Sequence, residues 1–358
     1  MSTIQTRRMT LDSLPGLLPK LLQNISIARG QIVVDQLRHW IDDGNAEGIL
    51  IILASYRDQD ESEERDIAAA VVIAPAIPQA VKGAAPANDA ATLLHAAWLV
   101  ERDRLPDSVR RDTAIAIQTR LDLTLAKRGI RFLQWASDVD DLSEAAEQTE
   151  SWRDALGFEW AADLDYLTVD FDTISPPPTS ASSPNTKLAF QQTEWDGGLL
   201  VNEDHFASLV ERTYVDTLDC PILLHYRSAK QTLLGYQQSA AFAPEAWFRL
   251  YPAKDHAKKD PVGVLILALH PAEQAGVNVA ELVYMGIVPE ARGGSLGRLL
   301  MNGVIETAKQ LGARRLILAV DSQNVYARRV YDAFGMRCML KETVAVKKLE
   351  VADMLGAP

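Results

Sequence analysis

The chain has 358 residues and a mass of 39.4 kDa, long for one domain and suited to two of ~100–200 residues each. Hydrophobic residues make up 47% and charged residues 23%, so each half can bury a core and wholesale disorder is not expected. The 36 basic residues against 48 acidic ones give a net charge of −12, which argues against a general nucleic-acid binder.

The N-terminus, MSTIQTRRMTLDSLPGLL, has two arginines but no long apolar core behind them, so it does not read as a signal peptide. No apolar run reaches the ~18–20 residues of a membrane span. A soluble cytoplasmic protein is expected. Strand patterns follow at Ile49 to Ser55, Ala68 to Ile73 and Thr92 to Val100. The Ala/Pro stretch from Pro75 to Pro86 reads as an inserted loop. A helix, a strand and a second helix come next, and Leu164 to Phe171 alternates as a last strand. Ser175 to Pro184 carries three consecutive prolines among serines, a composition that resists helix and sheet and reads as a linker. The expected division is residues 1–174, linker 175–185 and residues 186–358.

The second half has helical spacing at Glu203 to Thr217 and Ser228 to Ala241. Strands are expected at Trp247 to Tyr251, Val262 to Leu269 and Glu281 to Val288, then a glycine-rich loop and a helix from Gly297 to Leu311 stopped by Gly312. A strand at Arg315 to Val320, a helix at Val325 to Phe334 and a strand from Leu340 to Val346 complete it. Cys220 and Cys338 form no CxxC pair, and the six histidines are scattered, so neither a disulfide framework nor a metal site is expected.

The halves repeat. Pro106 and Gly129 correspond to Pro289 and Gly312 at a common offset of 183, and Gly157 corresponds to Gly335 at an offset of 178. Each half thus passes through the same order of elements. At the first offset Arg292, Gly293, Gly294, Ser295 and Gly297 correspond to Val109, Arg110, Arg111, Asp112 and Ala114. The first half has lost its glycines there and gained an aspartate, so it reads as a degenerate copy that binds no anion at this place.

The segment from Glu281 to Arg298 runs a strand into a glycine-bearing loop that opens a helix. Amides at a helix start lack intrahelical acceptors and the helix dipole adds positive potential, so a phosphorylated ligand is expected. Arg292 and Arg298 add charge. Neither GxxxxGK[ST] nor GxGxxG is present, which removes the main support for nucleoside triphosphate or dinucleotide binding.

Arg292, Ser295 and Gly297 resemble the Arg/Gln-x-x-Gly-x-Gly/Ala pyrophosphate loop of GCN5-related N-acetyltransferases, with serine in place of the usual first glycine. Asn324, Ala327, Tyr331, Gly335 and Met336 match that family's Asn-x-x-Ala-x-x-x-Tyr-x-x-x-Gly-Phe/Met pattern. The tandem arrangement resembles that of mycothiol synthases. The resemblance implies an α+β fold, with two tandem acetyltransferase-type domains, each a mixed, mostly antiparallel sheet flanked by helices. It implies acetyl-CoA as co-substrate, held between the strand from Glu281 and the strand from Arg315, which the family splays apart. Gly286, Ile287, Val288, Arg292, Gly293, Gly294, Ser295, Leu296, Gly297, Arg298, Asn324 and Tyr331 would contact it, with amides near Gly286 and Ile287 polarising the thioester carbonyl. Glu281 would be the general base and Tyr331 the acid that protonates the departing thiolate. The acceptor would be a small-molecule or peptide amine, with no nucleic acid and no membrane involved. A core tyrosine and a surface strand carboxylate are the bland readings of the same two residues. A non-catalytic acyl-CoA-binding regulatory protein is the alternative function.

Overall fold

The structure, a computed structural model, describes residues 3–58, 63–75, 89–139, 151–174, 188–239, 241–252, 260–272, 277–293 and 296–349. The expected linker 175–185 lies outside these residues. In chain order the strands are β1 (Thr3–Met9), β2 (Ile49–Arg57), β3 (Arg65–Ile73), β4 (Ala90–Trp98), β5 (Phe132–Asp138), β6 (Glu159–Asp170) and β7 (Leu188–Gln192). A two-residue pair, β8 (Trp195–Asp196) and β9 (Leu199–Leu200), precedes β10 (Phe242–Pro252), β11 (Gly263–His270), β12 (Val279–Ile287), β13 (Arg315–Asp321) and β14 (Arg337–Lys348).

These elements form two compact units that are not the two linear halves. One is Met1–Ala161 with Glu342–Pro358, the other Ala162–Lys341. The first unit has strand order β1-β2-β3-β4-β5-β14, antiparallel except for β4 with β5. The second has order β7-β10-β11-β12-β13-β6, antiparallel except for β12 with β13. The topologies are the same, with the last strand of each repeat completing the sheet of the other. Glu342–Lys348 of β14 pairs with Phe132–Asp138 of β5, and Asp165–Asp170 of β6 pairs with Arg315–Val320 of β13. The expected boundary at 174 therefore differs from the boundary set by packing, because hydrogen bonding of the last strands follows the sheets and not the linear order.

Both sheets are covered on both faces, which is why their middle strands read as continuous apolar runs. Along β2, Leu50, Ile52 and Ala54 join a core with Leu121 and Leu125 of the helix Asp107–Ala126. The alternate residues Ile49, Ile51 and Leu53 pack with Leu14, Leu21, Val33 and Leu37 of the helices Leu14–Leu21 and Ile27–Asp42. In the second unit Leu265 and Leu267 face Leu300, Met301 and Val304 of the helix Leu296–Gln310. Val264 and Ile266 face Phe206, Leu209 and Leu233 of the helices Glu203–Tyr214 and Ala229–Gln237. The expected α+β architecture is the one observed.

The first unit also buries charge. Arg29 meets Glu342 at 2.5 Å and Lys347 meets Asp122 at 2.6 Å, both nearly removed from solvent. Each fixes β14 in that sheet, and deleting one partner of such a pair costs ~3–5 kcal/mol by leaving an unpaired buried charge. His95 on β4 is 6% exposed, and its Nε2 has no partner among the described residues. Burial first, then Arg29, lower its pKa to about 4. The unfolded chain, at the ordinary 6.5, takes up the proton more readily than the fold does. Stability from the neutral imidazole is thus complete above pH 6.5 and is lost as the pH falls towards 4, by about 3 kcal/mol in all. Denaturant melts at pH 7 and pH 4.5 should show this slope in wild type, and His95→Gln, uncharged at both, should remove that part of it.

Candidate active site

The site is built where β12 and β13 part. Their parallel pairing runs from Val279 with Arg315 to Leu282 with Leu318 and then stops. A β-bulge sits at the same point. Ile266 pairs with Tyr284 and Leu267 with Leu282, leaving Val283 as the extra residue. Beyond it, Gly286 stays paired with Val264 and Ile287 with Gly263 on the β11 side only. The strands are thus opened where the resemblance requires it.

At the end of β12, Val288 N–H donates to the Val262 carbonyl at 2.9 Å. Pro289–Ala291 forms one tight turn, and Gly293 follows with φ +94°, a conformation that favours glycine. Gly294 and Ser295 lie outside the described residues. The helix Leu296–Gln310 has no acidic residue in its first turn, so nothing of its own opposes an anion at its start. Leu296 N–H donates to the Gly293 carbonyl at 3.1 Å. Gly297 lets this helix approach the next one: a Cβ there would lie 3.0 Å from Val330 Cγ2. Its observed role is therefore close packing of two helices.

The two loop arginines have different positions. Arg292 donates from Nε to Ile287 O at 3.1 Å, and from Nη2 to Thr213 O at 3.0 Å and Val215 O at 2.6 Å. It ties the loop to the C-terminal end of the helix Glu203–Tyr214, where backbone carbonyls need donors. Arg298 is exposed and has no ion-pair partner among the described residues. Glu290 pairs with Arg212 in solvent.

Glu281 lies on β12 one residue before the opening. Its Oε2 is 2.8 Å from His270 Nε2, and both side chains are half-buried. Tyr331, on the helix Val325–Ala333, is 7% exposed and packs in one core cluster with Leu282, Leu318 and Val320. Its hydroxyl has no hydrogen bond among the described residues. Burial, and behind it the charge of Asp219, raise its pKa above the ordinary phenol value. It is therefore a protonated donor at neutral pH. Tyr326 is 69% exposed and points elsewhere. Asn324 caps its helix, accepting from Ala327 N–H at 3.2 Å.

Sequence reasoning missed a group of side chains around Asp219 and Asp321. Asp321 closes β13, and its carboxylate accepts from Cys220 N–H at 3.1 Å and Gln323 N–H at 2.9 Å. Asp219 accepts from Asp321 N–H at 3.1 Å. Burial, then Asp321, raise the pKa of Asp219. Burial and both carboxylates raise that of the Cys220 thiol far above the neutral range, so it is no nucleophile. Cys338 is exposed, its thiol donating to Leu340 O at 3.4 Å. Tyr284, whose hydroxyl is 2.6 Å from Thr213 Oγ1, and Tyr214 flank the group, with rings 5.7 Å apart. Asp219 stands in no motif. Only the position of Asp321, three residues before Asn324, gave a signal.

Among the described residues the first unit lacks this apparatus. Its strand β4 carries the same bulge, at Leu94, and pairs Ala90 with Phe132 as Val279 pairs with Arg315. Thr92 thus stands at the place of Glu281, and Arg153 at that of Tyr331. The residues corresponding to Arg292–Gly297, Val109 to Ala114, lie inside the helix Asp107–Ala126. That helix opens with its own Asp107, paired with Arg110. Trp98 and Trp152 pack at 4.8 Å beside it, and the space left there is about 100 Å³.

Each unit is thus a mixed sheet with one parallel pair that parts after four residue pairs. Residues 216–336 match the model of the Acetyltransferase (GNAT) family. The chain is 41% identical over 58 residues to a Bacillus subtilis (strain 168) protein assigned as a ribosomal protein bS18–alanine N-acetyltransferase. That stretch is 16% of this chain and 38% of the relative, so the chain spans well under half of the curated relative it matches. The fold is similar to that of a GCN5-related N-acetyltransferase from Sphaerobacter thermophilus, at 17% identity and a TM-score of 0.50, over 97% of this chain and 96% of that one. It is also similar to the GCN5-related glucosamine N-acetyltransferase region of a fungal multi-domain GH3 β-N-acetylglucosaminidase, at 11% identity and a TM-score of 0.55, covering 97% of this chain and 38% of that one. No helix among the described residues is long and apolar enough to cross a membrane.

Proposed function

We propose that the chain is an acetyl-CoA-dependent N-acetyltransferase whose one active site lies in the second unit, and that it acetylates a primary amine of a small molecule or peptide by direct attack. The carrying observation is Tyr331, a buried phenol with an unpartnered hydroxyl in the cluster that lines the opened β12–β13 pair. The same feature favours an enzyme over a non-catalytic acyl-CoA binder, which needs no proton donor.

Acetyl-CoA supplies an activated acyl thioester. The residues that fit it are those of the opened strand end, Gly286 to Val288, and the loop and helix start from Gly293 to Arg298, with Arg298 as the available cation. Glu281 accepts the proton of the attacking amine, directly or through water, and His270 holds its carboxylate in place. Tyr331 delivers a proton to the departing thiolate. In this reading the first unit holds no cofactor, because the residues corresponding to the loop lie inside a helix that opens with Asp107. It serves as scaffold. Acetyl-CoA turnover over a panel of polyamines, amino sugars, aminoglycosides and peptide N-termini tests the reading. Glu281→Gln should lower kcat and flatten the acidic limb of the pH–rate profile. No turnover on any amine, with CoA bound, would leave the non-catalytic binder standing.

A further inference from the structure

Along β10, Trp247, Arg249 and Tyr251 alternate onto the face covered by the helix Glu203–Tyr214. Trp247 is buried and stacks with Phe206 of that helix, ring centroids 5.8 Å apart. Two residues on, the Arg249 guanidinium carbon lies 5.2 Å from the centroid of the same Phe206 ring. The apolar core ends there. A cavity of about 500 Å³ lies between the helix and the strand, with Asn202, Ser208 and Arg212 on one wall and Arg249 and Tyr251 on the other. Glu194 and Asp260 complete its charged lining. The volume falls within the ~300–1,000 Å³ of small-molecule sites. The cavity shares no residue with the opened strand pair or with the loop from Val288 to Arg298.

Arg249 is half-buried. The other half-buried arginines of the second unit have polar partners: Arg227 donates to the Gln231 carbonyl, Arg315 pairs with Asp170 and Arg328 with Asp165. Among the described residues Arg249 has the Phe206 ring and no hydrogen bond or ion pair. Stacking on a ring occupies one face of a guanidinium and leaves its N–H edge for an acceptor in the cavity. That planar edge matches a carboxylate, which it binds as a fork. Asn202 is a second, independent sign. It starts the helix in the left-handed conformation, φ 56°, and its side chain makes no capping bond, although asparagine is a favoured cap. Its amide is left to the cavity that it lines.

The charges around the cavity choose the ligand. Arg212 and Arg249 stand against Glu194 and Asp260, and Arg212 is already engaged by Glu290. A polyphosphate would meet one available guanidinium and two acids, which disfavours CoA and nucleotides here. A ligand with one carboxylate and one ammonium meets both signs. We propose that the cavity binds a small zwitterion of amino-acid type, its carboxylate forked on Arg249 and its ammonium on the acidic side formed by Glu194 and Asp260. The site stands whether or not the second unit transfers an acetyl group. A purely structural Arg249, with its stem packed on apolar surface and its head in water, would select no ligand that carries both charges.

The test is a thermal-shift screen of the intact chain with the standard L-amino acids. Calorimetry follows with the best of them beside propanoate and propylamine, which each carry one of the two charges. At least one amino acid should raise the melting temperature and bind at least tenfold tighter than either control. Arg249→Gln should abolish that binding, and Arg249→Lys should keep only part of it, since a point charge replaces the fork. Ser208→Trp, at an exposed position of the helix, should abolish it by filling the cavity, with the melting temperature of the free protein and the CoA affinity kept. It carries the test if Arg249→Gln fails to fold. The amino acid should bind equally well with CoA present. No stabilisation by any amino acid, binding that survives Ser208→Trp, or an amino acid that CoA displaces would overturn the proposal.

Discussion

Neither half of the chain should fold alone when it is cut within residues 175–185 and expressed separately. The first half would lose Glu342 to Lys348 from β5, and with them the core residues Ala345 and Leu349 and the partners of Arg29 and Asp122. The second would lose Leu167, Val169 and Phe171 from its core and expose β13 as an open edge. Burying three such side chains contributes ~1.5–3 kcal/mol each, and the total rivals the ~5–15 kcal/mol by which whole domains are stable. Circular dichroism and gel filtration of each half should show unfolded or aggregated protein, and mixing or co-expressing the halves should recover a folded complex. A second half that is monomeric and cooperatively folded by itself would show that β6 is dispensable.

Tyr331→Phe should lower kcat by ~100–10,000-fold, the usual contribution of a positioned proton donor. CoA affinity should stay within a few-fold of wild type, because the ring and its packing with Leu318 and Val320 remain. The phenol is held protonated by its environment, so the loss should be the same from pH 6 to pH 9. A change confined to KM would make Tyr331 a wall of the binding site and not an acid.

Much of the sheet was legible because its middle strands are apolar runs between turn signals, as in Ile49 to Ser55 and Val262 to Leu269, and these two were found within two residues of their observed bounds. The repeat was legible because Gly129 and Gly312 both stop a helix at positive φ before a parallel strand. The N-terminal elements were not. β1 is a polar edge strand whose residues are half-exposed or exposed, and the helix Leu14–Leu21 contains Gly16 and Pro19, which hide its period. The crossing of β6 and β14 into each other's sheets left no trace, since a strand pattern says which faces are apolar and nothing of its neighbour. In the site, Glu281 was read from its place on the strand before the loop and Tyr331 from motif register. Arg292 was read as a charge for the ligand, whereas its guanidinium is engaged with three backbone carbonyls, a role no spacing reveals. Asp219 and Asp321 are brought together from 102 positions apart by the fold alone.

The most direct test of the account is a calorimetric titration of CoA into the intact chain and into Arg298→Glu, a substitution at an exposed position that changes charge without touching the core. Wild type should take up one CoA per chain, and Arg298→Glu should bind it at least tenfold more weakly with an unchanged melting temperature. Two sites per chain, no binding, or an affinity indifferent to the charge at residue 298 would contradict a single acyl-CoA site at the loop of the second unit.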